Sequence, residues 1–356
     1  MAERKARVLV VGVGGVGAMA AYALEIGGKA EVTAVLRSNY DAVAEKGFTI
    51  DSIEHGHDIK GWRPSHIRKT IPDVVQENLE PFDFILVTTK NIPDIPPTVA
   101  DLIAPAVTPQ QTAIVLSQNG LNIERPLLAR FAGNPVLSSI SLIAATETAP
   151  GQIRHDDEDV QYISPFFPPP PDRPSPVSDE ASRAEAAARR YVDVYGAGGE
   201  LGLDIRYEPD AQLARWRKLV YNASFNSVAA VLRMDTARMR ASRHVIDDLV
   251  KPIMREIIAA ASAVGGYEFP ADLPDRVVRV DPTDTAFKPS MCQDVEKGNF
   301  MEVENIIGEP LREGEARGVA MPTLRTMYGL LKGLQLQVKE TRGLWEPKFE
   351  EDNPYK

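Results

Sequence analysis

The first thirty residues constrain the fold more than any other stretch. "ARVLVVGVGGVGAMAAYALEIGG", 6–28, passes from a short continuous apolar run through clustered glycines into a longer run of small residues. That order reads as a buried strand, a glycine turn and a close-packed helix. Gly12, Gly14 and Gly17 form G-x-G-x-x-G at the junction. The first permits the tight turn, the second lets backbone approach a pyrophosphate, and the third lets helix and strand pack closely, with the helix N-terminus facing the anion. A dinucleotide site is expected here, the plainer alternative being a turn that needs glycine for packing only.

The second strand, "AEVTAVLRS" at 30–38, ends in Leu36, Arg37 and Ser38. Chains that bind NAD usually place an acid about 20 residues past the glycines, against the ribose 2′-hydroxyl. Arginine there suits a 2′-phosphate, because its planar fork donates charge-assisted, often paired hydrogen bonds. NADP(H) is therefore the expected cofactor, unless Arg37 is simply a solvated strand-end cation. The runs "FDFILVTTK" at 82–90, "TAIVLSQNG" at 112–120 and "NPVLSSISLIAATET" at 134–148 read as further parallel strands covered on both faces. Helical patterns between them give the βαβ alternation of a doubly wound sheet. Ligands of such sheets lie beyond the carboxyl ends of the strands, which brings Lys90, Asn119 and Gly120 toward the cofactor or the crevice. Taken alone, each is an ordinary surface residue or turn.

With 356 residues the chain exceeds the usual size of one core, so two domains of roughly 150–200 residues are expected. Its 40 basic and 50 acidic side chains leave a formal charge of −10, which argues against a general affinity for nucleic acid or anionic membrane. A single cysteine, Cys292, excludes an internal disulfide, and the five histidines show no zinc-ligand spacing. "IEHGHD" reads as a polar turn rather than a metal site, and no metal is expected. The opening residues enter a strand at once, and no apolar run reaches the length of a membrane span. A reducing, cytoplasmic location is the expectation.

Residues 164–180, "SPFFPPPPDRPSPVSDE", are too rich in proline for helix or central strand and read as a surface excursion. The following helix and "LDIRYEP" could still belong to the first sheet, so the boundary is placed near 209. The expected organisation is a nucleotide-binding domain at 1–208, a helical domain at 209–342 and a polar tail at 343–356. Helical signals occupy 211–232, 242–264, 290–297, 302–317 and 322–340. The apolar helices at 242–264 and 322–340 are expected to be buried within one domain or to contribute to a homodimer interface. In "RWRKLVYNASFNSV", 215–228, Lys218, Asn222 and Asn226 recur every four residues and share a helix face. Asparagine is a poor helix former, so this stripe is either a solvated face or the wall of a site.

The blocks "GVGGVG" at 12–17, "RS" at 37–38, "TTK" at 88–90, "QNG" at 118–120, "APGQIRH" at 149–155, "RWRKLVYNASFNSV" at 215–228, "PSMCQDVEKGNFMEVENIIG" at 289–308 and "MPTLRTMY" at 321–328 together resemble the ketopantoate reductase (2-dehydropantoate 2-reductase) family. The resemblance implies an N-terminal Rossmann-type α/β domain and an all-α C-terminal domain like that of 6-phosphogluconate dehydrogenase, with the active site in the cleft between them. It implies NADPH-dependent reduction of 2-dehydropantoate to (R)-pantoate, for pantothenate and coenzyme A synthesis. Lys218 takes the position of the family's catalytic lysine and Glu302 that of its essential glutamate. Asn222, Asn226, Ser290 and Asn119 match residues that bind substrate. Gly12, Gly14, Gly15, Val16, Gly17, Arg37, Ser38, Lys90 and Asn119 match residues that hold the cofactor. Glu302 is chosen over Glu304 and Glu309 by its order after "SM-QD" and before "N-I-I-G".

The chain is longer than the compact bacterial enzymes, through 53–69, 164–180 and an acidic tail, as in divergent eukaryotic-like members. A same-family reductase of another branched 2-oxo acid or ketone is therefore a second reading. A non-catalytic NADP(H) sensor is a third, against which Lys218 and Glu302 count. Cys292, beside Ser290, reads as a small buried hydrophobe or as a thiol open to reagents.

Overall fold

The computed structural model describes residues 4–167, 178–199, 203–349 and 351–356. The chain divides into two compact units, Met1–Arg215 and Trp216–Lys356. The first is built on a sheet whose strands are β1 (Ala6–Val11), β2 (Ala30–Val35), β3 (Phe48–Ser52), β4 (Gly56–Trp62), β5 (His66–Arg68), β6 (Phe84–Val87), β7 (Ala113–Leu116), β8 (Val136–Ala149), β9 (Gln152–Pro165) and β10 (Asp204–Tyr207). Their order is β4-β3-β9-β8-β7-β6-β1-β2-β5, with β10 added to β9. Pairing is parallel throughout except in β3–β4 and β8–β9.

The central strands are largely apolar, β6 and β7 at every position, because both sheet faces are covered. Val8, Val10, Phe84, Leu86, Ala113 and Val115 point into one core, shared with the helices Gly15–Ile26 and Ser178–Gly196. Leu9, Val11, Ile85, Val87, Ile114 and Leu116 point into the other, with Ile103 and Leu127. Period-two alternation thus divides one apolar run between two layers.

One strand goes beyond the sequence-based expectation. β9 carries "RHDDED", a run with little strand propensity, yet forms a long antiparallel hairpin with β8. Between the buried Ile153 and Ile163 its inward positions His155, Asp159 and Gln161 are polar: buried Asp159 accepts from Tyr195 Oη at 2.7 Å and from Gln161 Nε2 at 2.6 Å. A pattern of apolar residues cannot flag a strand buried through hydrogen bonds. Residues 53–69, part of the extra length, form the turn after β3, then β4, which pairs with β3, and β5. "LDIRYEP" does join the first sheet, as β10 beside β9. Of the proline-rich segment, 168–177 lies outside the described residues, while Ser164 and Pro165 end β9.

The second unit is helical. Its longer elements are Trp216–Leu232, continuing the helix begun at Ala211, then Val245–Gly265, Ser290–Glu296, Glu304–Glu315 and Pro322–Thr341. Short helices Thr236–Ala241 and Leu273–Val278 lie between them. Leu219, Val220, Ala223, Phe225 and Val228 are all buried. Among the described residues no helix is long and apolar enough to cross a membrane.

Candidate active site

Gly12 follows β1 at φ +97°, a backbone that L side chains rarely adopt, and a Cβ there would stand 2.6 Å from Thr89 N. At Gly17 a Cβ would overlap the Gly12 carbonyl oxygen. At Gly15 it would overlap the Ala145 carbonyl on β8. These three glycines are required by packing. Gly14 differs: its φ is −86°, and nothing lies within 4 Å of a Cβ built on it. It caps the helix Gly15–Ile26 without a side-chain hydrogen bond, and the first turn holds no acid. Intrahelical bonding begins with Ala18 N–H to Gly14 O at 2.8 Å, so the N–H groups of Gly15, Val16 and Gly17 have no acceptor within the helix. Open space beside Gly14, amide donors and a positive dipole end fit an anionic dinucleotide.

The turns after β1, β6 and β7 are bonded to one another. Thr88 Oγ1, two residues before Lys90, donates to Gly12 O at 2.6 Å. Gln118 Nε2 donates to Thr89 O at 2.7 Å, next to Asn119. Lys90 is exposed and Asn119 half-buried. Arg37 and Ser38 are exposed just past β2, and Arg37 has no ion pair among the described residues. Buried Asn39 ties their segment to the glycine turn by donating Nδ2 to Val13 O and Glu147 Oε1, each at 2.8 Å. Asn39 and Gln118 organise the site; Asn39 follows "RS" and Gln118 opens "QNG", yet neither block signals these bonds, since each is made to a distant segment.

The second unit gathers the other group. The element carrying Lys218, Asn222 and Asn226 is α-helical to Tyr221, π-helical from Asn222 to Asn226, and α-helical again from Ser227. The shared face expected from four-residue spacing assumes a regular helix, and the π-turn alters that spacing between Asn222 and Asn226. Two hydroxyls compete for the ladder: Ser224 Oγ bonds Val220 O at 2.6 Å and Ser227 Oγ bonds Ala223 O at 2.5 Å. Such back-bonding loosens an α-helix, and π-turns recur at functional sites.

Lys218 and Asn222 are half-buried, while Asn226 is 3% exposed. Asn226 Oδ1 accepts from Met291 N at 3.2 Å and from Ser290 Oγ at 3.4 Å. Because a backbone N–H only donates, the amide oxygen must face helix Ser290–Glu296, and the NH2 group turns away from it. The π-turn also packs against Glu304–Gly308, the segment directly after Glu302. Thus the three sequence blocks expected to supply catalytic and substrate-binding residues converge within this unit. Cys292 is buried and burial raises its thiol pKa, which makes it a packing residue rather than a reactive one.

The neighbouring glutamates have different environments. Glu302 is 3% exposed. Glu304 accepts from Lys332 Nζ at 2.8 Å, Tyr328 Oη at 2.9 Å and Arg312 Nη1 at 3.0 Å. Burial alone would raise its pKa, but these donors outweigh it and hold the carboxyl below its ordinary value. A depressed folded-state pKa contributes stability that is present above the unfolded value and lost as pH falls through the folded one. Glu304→Gln should therefore lower stability at neutral pH by about 1–3 kcal/mol. In urea titrations the deficit should shrink as pH drops below the ordinary glutamate range; a deficit independent of pH would mean that the carboxylate charge is not its source.

The family description "Ketopantoate reductase PanE/ApbA" matches residues 8–167, and "Ketopantoate reductase PanE/ApbA C terminal" matches residues 210–335. The chain is 35% identical to "Uncharacterized protein YDL144C" of Saccharomyces cerevisiae over 97% of each chain. It is 25% identical to the 2-dehydropantoate 2-reductase of Nostoc sp., covering 94% of this chain and 96% of that one. Among solved structures, 2-dehydropantoate 2-reductase from Methylococcus capsulatus matches with a TM-score of 0.72 and 31% identity, over 93% of this chain and 97% of the other. With both family descriptions matched in order, and an α/β unit followed by a helical one, the chain belongs to the ketopantoate reductase family, oxidoreductases that act on a C=O/CH–OH pair with a nicotinamide dinucleotide.

Proposed function

We propose that this chain reduces 2-dehydropantoate to (R)-pantoate with NADPH, in the cytoplasm and in the service of pantothenate and coenzyme A synthesis. Residues 1–208 bind the cofactor in this reading, and 209–342 supply the substrate-binding and proton-donating groups. The observation that carries it is the convergence of the Asn222–Asn226 turn, Ser290 and the segment following Glu302.

The roles follow from charge. The bound nicotinamide supplies the hydride. As the carbonyl carbon accepts it, negative charge develops on the oxygen, and the Lys218 ammonium donates a hydrogen bond and then the proton. Asn222 donates to and accepts from substrate hydroxyls without adding charge, and Asn226, whose Oδ1 already accepts from Met291 N and Ser290 Oγ, donates through its NH2 group. Ser290, held by Asn226, contacts the substrate carboxylate. Glu302 is the essential carboxylate of this site, a role supported by its burial and by its place just before the segment that packs against the Asn222–Asn226 turn. In the first unit, Gly14 and the amides of Gly15, Val16 and Gly17 hold the pyrophosphate, Arg37 and Ser38 the 2′-phosphate, and Lys90 and Asn119 the nicotinamide end.

The test is NADPH consumption by purified protein with 2-dehydropantoate, beside a panel of other branched 2-oxo acids, each repeated with NADH and with Arg37→Ala. Turnover of 2-dehydropantoate with a preference for NADPH is expected, and Arg37→Ala should weaken NADPH affinity about tenfold or more while sparing NADH. Turnover of another panel member alone would replace the substrate, and equal use of the two cofactors would remove the assignment of Arg37.

A further inference from the structure

Residues 116–124 leave β7 as a loop that is buried at most positions, with Gly120 at φ +101° and Asn122 at φ +58°. Connecting segments usually run over the surface, because buried backbone groups need partners. Here one side chain supplies several. Arg215, 3% exposed, donates Nη1 to the carbonyls of Gln118 and Gly120 at 3.1 Å each, and Nη2 to that of Leu116 at 3.5 Å. Its Nε donates to Glu124 Oε1 at 2.6 Å, and Ser138 Oγ donates to the same oxygen. The fully buried Glu124 ends the loop that Arg215 grips at its start and apex.

A buried ion pair is a weak source of net stability, since desolvation offsets the Coulomb gain. Its contribution here is geometric. A planar guanidinium with five donors in a fixed fork sets the directions of several acceptors at once, which a lysine cannot do. Asn119 sits between the two carbonyls that share Nη1.

We propose that Arg215, seated by Glu124, is a positioning residue that sets the Gln118–Gly120 turn and so aims Asn119 at the dinucleotide. The inference rests on the reading in which Asn119 contacts the cofactor. Through Gln118, whose side chain bonds Thr89 O, the same clamp extends to the turn that carries Lys90.

The experiment compares Arg215→Lys, Asn119→Ala and the double variant by hydrogen–deuterium exchange and NADPH titration, with Glu124→Gln as the substitute should Arg215→Lys not fold. Amides between 117 and 123 should exchange about tenfold faster or more in Arg215→Lys, with the rest of the unit unchanged. Its loss of NADPH affinity should largely disappear when Asn119 is already alanine, a coupling of about threefold or more. Unchanged exchange in 117–123, or additive affinity losses, would overturn the proposal and leave Arg215 a packing residue. Neither readout needs a substrate, so failure of the 2-oxo acid assay does not touch them. If the loop loosens but Asn119→Ala binds NADPH like wild type, the premise about Asn119 fails instead, and the proposal with it.

Discussion

Lys218→Ala should lower kcat by about 10²–10⁴-fold, the usual worth of a positioned general acid. Its dinucleotide affinity should be unchanged, because the residues that fit the cofactor lie in the other unit. Lys218→Arg is the informative companion. It keeps the positive charge but holds its proton far too tightly to donate it, so only the electrostatic part should return. The checks are steady-state rates with the substrate found in the panel, and fluorescence titration with NADPH. If Lys218→Ala keeps its turnover and loses only thermal stability, the stripe is a structural face.

That stripe also shows how far a linear reading reaches. Lys218, Asn222 and Asn226 stood out because asparagine is costly in a helix interior, and the four-residue spacing placed them on one face. The π-turn was not legible, because it depends on which carbonyls Ser224 and Ser227 capture once the helix has formed. The family resemblance matched Asn226 and Ser290 each to a substrate-binding residue, but the bonds from Ser290 and Met291 to Asn226 were not expected, and nothing in either segment alone announces them.

In the first unit the central strands were legible because continuous apolar runs are what a doubly covered sheet requires. β9 was hidden, because His155, Asp159 and Gln161 are buried by hydrogen bonding rather than by apolarity. The same limit applies at the site. Glycine patterns and strand-end residues advertise a nucleotide, whereas Asn39, Gln118 and Arg215 shape the turns through partners far away in the sequence. Gln118 and Arg215 do lie within quoted blocks, "QNG" and "RWRKLVYNASFNSV", but nothing in either block says which backbone groups they hold.

The glycine turn offers the sharpest separation between packing and binding. Gly14→Ala introduces a methyl into open space at an ordinary extended backbone, so folding stability should change by no more than about 1 kcal/mol, with a small gain from a stiffer unfolded chain. NADPH affinity should nevertheless fall about tenfold or more, since the methyl occupies the place where backbone meets pyrophosphate. Gly17→Ala should do the opposite first. Its methyl meets the Gly12 carbonyl and Thr88 Oγ1, and backbone cannot yield cheaply, so about 1–3 kcal/mol or more of stability should be lost before any cofactor is added. Urea unfolding and NADPH titration of both variants measure the two effects independently. If Gly14→Ala binds NADPH like wild type, the open face beside Gly14 is not where the pyrophosphate lies, and the anion must be held elsewhere on the turn. If Gly17→Ala is as stable as wild type, the close packing of helix on strand is not what this glycine secures, and the motif's third position would have to be explained by the ligand as well.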